Sequence, residues 1–136
     1  MKTYDIKKKR GDFGEAAVCD YIINQGYKTI TCNYRKKIGE IDIIALSPPQ
    51  DKHKNEIVFI EVKTRKFDSL TDGIDSVNLS KRKKIVKTAR VFLQENPQYG
   101  DINARFDVAE VIITTDDSPQ LLELKYYKDA FDPALL

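Results

Sequence analysis

Glu40, Asp42, Glu61 and Lys63 interrupt two apolar runs, "EIDIIAL" and "EIVFIEVKT", that otherwise read as the strands of a hairpin around the loop "SPPQDKHKN". Side chains alternate along a strand. Glu61, Lys63 and Arg65 therefore share a face with Ile57 and Phe59, and Glu40 and Asp42 share a face opposite Ile41 and Ile43. Symmetric closure of the hairpin through Ser47 and Glu56 sets Asp42 across from Glu61 and Glu40 across from Lys63. Facing carboxylates repel, more so when desolvated. A hard dication relieves that repulsion: magnesium takes oxygen ligands, uses one or two protein carboxylates and leaves room for water and a phosphate. Lys63, about 7 Å along the face from Glu61, is placed to orient or deprotonate an attacking water or to neutralise a scissile phosphate. The chemistry such a pattern would suit is metal-assisted phosphodiester hydrolysis. Plain charge pairing is the competing account, with Glu40–Lys63 and Glu61–Arg65 as ion pairs on a solvated sheet.

The elements that must hold these residues are legible. A first helix is predicted from Phe13 to Gln25, with Asp12 as N-cap, Glu15 completing a capping box and Gly26 as the stop. The capping role accounts for Glu15 without any chemistry. "YKTITCNY", "EIDIIAL" and "EIVFIEVKT" follow as strands, and a second helix is predicted from about Ser80 to Glu95, ended by Pro97 and burying Ile85, Ala89, Phe92 and Leu93. "RFDVAEVIIT" and "LLELKYYK" read as two further strands. The order α-β-β-β-α-β-β describes an α/β domain with a mixed sheet and a helix on each side.

The 136 residues, 41% apolar and 32% charged, suit one folded domain spanning 1–136. The basic segment 1–10 precedes any predicted element and is expected to be free to move. No apolar run is long enough to span a membrane or serve as a secretory signal, so a cytoplasmic protein without a membrane partner is expected. Cys19 and Cys32 lack metal-motif spacing and read as buried free thiols; His53, the single histidine, reads as solvated loop surface. Together they cannot make a His/Cys zinc site.

Net charge is only +2, but it is unevenly spread. Residues 1–10 carry five cations and one anion, residues 81–90 carry six cations and none opposing, and residues 110–136 carry two cations against six anions. Lysines in the first turn of a helix oppose its dipole, yet the second helix begins "SKRKK". An external polyanion would offset that cost: Lys81 and Lys84 would meet the same phosphate as the helix amides. Arg35, Lys36 and Lys37 of "NYRKK" would flank the groove. A tolerated run of surface lysines is the plainer alternative.

With these blocks laid out, the chain resembles the YraN-like family, small proteins assigned by similarity to the restriction-endonuclease-like PD-(D/E)XK superfamily. The likeness runs from "GDFGEAAVCDYIINQGY" through "NYRKKIGEIDIIA", "FIEVKTR" and "DSVNLSKRKKI" to "RFDVAEV". It implies a nuclease fold, metal-binding acids at Asp42 and Glu61, and a catalytic lysine at Lys63. Glu15 matches the helix-borne glutamate of related Holliday-junction resolvases, where it would hold a water or a second ion; Glu40 and Lys81 also match family positions. The loop "SPPQDKHKN" is longer than the family carries. The expectation is a Mg2+- or Mn2+-dependent endonuclease acting on DNA, branched or junction DNA included, for which a symmetric homodimer would suit two-strand cutting. The rival is a non-catalytic nucleic-acid-binding protein with the same fold.

Overall fold

The computed structural model describes residues 3–50, 54–69 and 77–135. His53 and part of the loop before the second helix lie outside the described residues. Helix α1 (Thr3–Asn24) is followed by strands β1 (Lys28–Lys36), β2 (Gly39–Leu46) and β3 (Ile57–Lys66), helix α2 (Leu79–Glu95), and strands β4 (Ala104–Ile113) and β5 (Leu121–Tyr127). The five strands form one sheet in sequential order, with β3 and β4 parallel and the other neighbours antiparallel. Helix α2 makes the crossover that a parallel pair requires. The α-β-β-β-α-β-β order is as read from the sequence.

Two helices cover two faces. Ile85, Val86, Ala89 and Phe92 of α2 pack on Ile44, Ile57, Phe59, Phe106 and Val108. Val18 and Ile22 of α1 pack on Ile43, Ala45, Val58, Ile60, Ala109 and Val111. Alternation along β3 and β4 puts odd and even positions into different cores. The α2 face is aromatic: Phe59 and Phe106 stack with centroids 5.3 Å apart, and Phe92 meets Phe59 edge-on at 6.1 Å.

Helix α1 starts ten residues before the expected Phe13. Asp12 and Glu15 are therefore interior helix residues and make no capping box; Asp12 instead accepts from Lys8 at 3.0 Å, one turn back. Much of the basic segment taken as free to move is thus helical. The far end conforms to expectation. Gly26 adopts φ 92°, while Gly26 N–H donates to the Ile23 carbonyl and Tyr27 N–H to that of Ile22, a Schellman stop. In α2, Asn78 caps the helix by accepting from Lys81 N–H at 3.0 Å.

Candidate active site

The register of the β2–β3 hairpin is the symmetric one, running from Leu46↔Ile57 to Ile43↔Ile60. Beyond that pair the alternation of β2 slips. Ile43 packs under α1, but Ile41 packs under α2 with Ile44, so the expectation that Ile41 and Ile43 share a face is wrong. Asp42 sits at the slip. On its other flank, between the pairs Cys32↔Ile43 and Tyr34↔Ile41, stands Asn33 with φ 53°, a left-handed conformation that asparagine tolerates better than most residues. The reason for the slip is visible at Asp42 itself: its Oδ2 accepts the Val62 backbone N–H at 2.8 Å, so a side chain takes a donor of the neighbouring strand.

This break lets Asp42 reach both Glu61 and Glu15. Burial, then the adjacent Glu61 carboxylate, push the Asp42 carboxyl up to about 8; Glu15 adds to the rise and the Val62 N–H opposes it. Glu61 itself is only 7% exposed. Its Oε1 receives Lys63 Nζ at 3.4 Å and Lys81 Nζ at 3.2 Å. The two lysines differ. Burial and the neighbouring Lys81 pull Lys63 below the usual lysine value, while Lys81 is held above it: burial opposes that rise, and its hydrogen bond to Lys63 and the Glu61 charge outweigh burial. Lys63 is thus the amine more ready to give up its proton.

Glu15 reaches the site from the other face. Burial raises its pKa, against a hydrogen bond from Asn33, with Asp12, Asp42 and Glu40 as further neighbours. Its position depends on the preceding residue. A Cβ on Gly14 would lie 1.8 Å from Thr64 Oγ1, so only glycine lets α1 approach β3 this closely.

Other expected residues are more scattered. Glu40 is not opposite Lys63 in an ion pair; it pairs with Arg35 of β1 at 3.2 Å, both well exposed. Arg65 donates to Glu110 rather than Glu61. Lys36 binds Glu95 at 2.7 Å at the C-terminal end of α2, about 21 Å from the end that carries Lys81. Arg35 faces the other way and lines a cleft with Glu15 and Asn33. Lys37 and Lys84 are exposed. Cys19 and Cys32 are free, as expected, but not buried: Cys32 is exposed and Cys19 half-buried, with Sγ atoms 3.9 Å apart. Burial and then Cys32 push the Cys19 thiol up to about 12.

Sequence reasoning missed two groups of charges. Glu110 of β4, fully buried, is in register with Lys63; its Oε1 accepts from Arg65, and its Oε2 has no hydrogen-bond partner among the described residues. On the α1 face of the same strand, Asp107 is also fully buried. It accepts from Arg105 Nε and Nη2, both at 2.9 Å, Tyr126 Oη at 2.6 Å and Asp129 N–H at 2.9 Å. Arg105 also donates to Tyr27 Oη at 2.7 Å and to Glu56 at 3.1 Å. The signal was available, since Arg105 and Asp107 stand two apart in an apolar strand and must share a face.

Among the described residues no three Asp, Glu, His or Cys side chains close into a cage for an ion. The carboxylate pair still fits a hard cation. Its donors are all oxygens, and the pair carries the mutual repulsion a dication would offset. Among the described residues no helix is long and apolar enough to cross a membrane.

Residues 14–111 match the model of the uncharacterised protein family UPF0102. A UPF0102 protein of Clostridium botulinum (strain 657 / Type Ba4) is 43% identical over 124 residues, covering 91% of this chain and 94% of the relative. One from Clostridioides difficile (strain 630) is 42% identical over 106 residues, covering 78% of this chain and 87% of the relative. The matched span holds Glu15, Asp42, Glu61, Lys63 and Lys81, and the chain belongs to the UPF0102 family.

Proposed function

We propose that the protein is a magnesium-dependent endonuclease of the restriction-endonuclease-like kind that hydrolyses DNA phosphodiester bonds, with branched and junction DNA among its candidate substrates. The observation that carries this reading is the contact between Asp42 and Glu61 at the slip in β2, with Lys63 on the same carboxylate. Asp42 and Glu61 would hold Mg2+ or Mn2+, which when bound offsets their charge and polarises the phosphoryl group. Lys63 takes the proton of the attacking water as its oxygen closes on phosphorus and the opposite P–O bond breaks; its lowered pKa suits that task. Lys81, kept protonated, faces the charge that grows on the phosphoryl oxygens. Glu15 orients water from the α1 side.

One observation favours a second reading, a non-catalytic nucleic-acid binder: Glu61 already has two lysine partners within the chain. Cleavage of supercoiled, single-stranded and four-way-junction DNA with magnesium or manganese separates them. The nuclease yields metal-dependent product, and Lys63→Ala slows it by about 100-fold or more. Steeply salt-dependent binding with no product from any substrate leaves the binder standing.

A further inference from the structure

Helix α1 and the C-terminal end of β3 enclose a cavity of about 490 Å3, lined by Lys7, Arg10, Glu15, Lys63, Arg65 and Lys66. Five of these six are cations. Lys63 and Glu15 belong equally to the acidic site, so cavity and site are continuous. Lys66 is three residues beyond Lys63, about 10 Å along the strand.

The cations differ in how well they are answered. Lys63 pairs with Glu61, and Arg65 with Glu110. Lys7, Arg10 and Lys66 make no ion pair among the described residues, and Arg10 Nε is buried there without a hydrogen-bond partner. A buried, unanswered donor is costly. Lys7 and Arg10 are three apart on α1 and so neighbours on its surface. Gly11, beside them, opens onto space: a Cβ there would meet nothing within 4 Å. An anion in this cavity would answer Arg10.

We propose that this cavity is a second phosphate site, in which Lys7, Arg10 and Lys66 grip a backbone phosphate of the strand whose scissile phosphate lies at Lys63. It rests on the nuclease reading for that neighbouring phosphate. Its ligand chemistry is a nucleic-acid phosphodiester, held without reading bases. The first helix thereby becomes part of the nucleic-acid interface, alongside the lysines of α2.

Fluorescence anisotropy with a labelled DNA duplex in EDTA, titrated from 50 to 200 mM KCl, tests it. The variant Lys7→Gln/Arg10→Gln/Lys66→Gln is expected to bind at least ~10-fold more weakly at 50 mM KCl, with a salt slope shallower by about 2–3. Lys7→Gln alone, an exposed change that spares the fold, should lower the slope by about 1. The distant control Lys54→Gln/Lys128→Gln should match wild type. Wild-type slopes in both Lys7 variants overturn the site, as does a wild-type protein that binds no DNA. Cleavage assayed in parallel keeps the two readings apart. Product from a wild type whose slope the variants do not change removes the phosphate site and spares the nuclease; a slope lost in the variants, with no product from wild type, does the reverse.

Discussion

Strand β4 carries two fully buried acids three residues apart, and they are treated differently. Asp107 has four donors on its two oxygens, an arginine locked in the same network, and tyrosines closing the rim. Glu110 accepts from Arg65 through one oxygen, its other oxygen has no hydrogen-bond partner among the described residues, and across the sheet it stands in register with Lys63, whose amine shares the Glu61 carboxylate with Lys81. The first cluster is complete in itself. The second holds like charges in contact and amines competing for one oxygen, a condition that costs stability unless something external completes it. A saturated polar network explains a fold; an unsaturated one points to a ligand.

The largest effect should come from breaking the complete cluster. Asp107→Asn leaves Arg105 buried beside an amide and should cost about 3–5 kcal/mol, seen as a lower urea midpoint. A loss under 1 kcal/mol would show that this network is not the structural one.

The incomplete cluster should respond in the opposite sense. The Asp42 carboxyl, at about 8 in the fold against 3.8 for the free group, binds a proton that the unfolded chain has released. That stabilisation is full below about pH 4 and is lost as pH rises through 8. Asp42→Asn should therefore match wild type at pH 4 and exceed it by at least about 1 kcal/mol at pH 8.5. Millimolar magnesium should raise the wild-type Tm at pH 8.5 by about 2–8 °C and leave that of Asp42→Asn unchanged. Equal pH profiles for the two proteins would remove the electrostatic argument for an ion.

Glu40→Ala should do least. Its pair with Arg35 is well exposed on both sides, so the change should be below about 1 kcal/mol, with the magnesium-induced rise in Tm retained. A lost rise would move Glu40 into the metal site.

Much of the frame was readable because it rests on local pattern. The β-branched runs became β2, β3 and β4 near their expected bounds, and Gly26 and Pro97 punctuate the helix ends as such residues should. The start of α1 was not readable. Gly11 and Asp12 look like a stop and a cap, and what keeps the helix running through them, including the Gly14 contact with Thr64, is tertiary. At the site the hairpin register was right, but strict alternation would have pointed Asp42 and Glu40 the same way. The slip depends on the Val62 N–H and on a left-handed Asn33, neither visible in a hydrophobic pattern. Lys7 and Arg10 were overlooked for the same reason as the helix that carries them.

The bare backbone at Gly14 has one more consequence. With no side chain between helix and strand at that point, the gap between α1 and β3 is fixed by main-chain thickness and a single threonine hydroxyl, and Glu15 is the very next residue. The helix works there like a shim of minimum gauge. Repacking the α1 core with bulkier side chains would lift Glu15 away from Asp42 before it disturbed the strands, so tolerance to sequence change on that layer should be set by the fit at one joint rather than by the volume of the core.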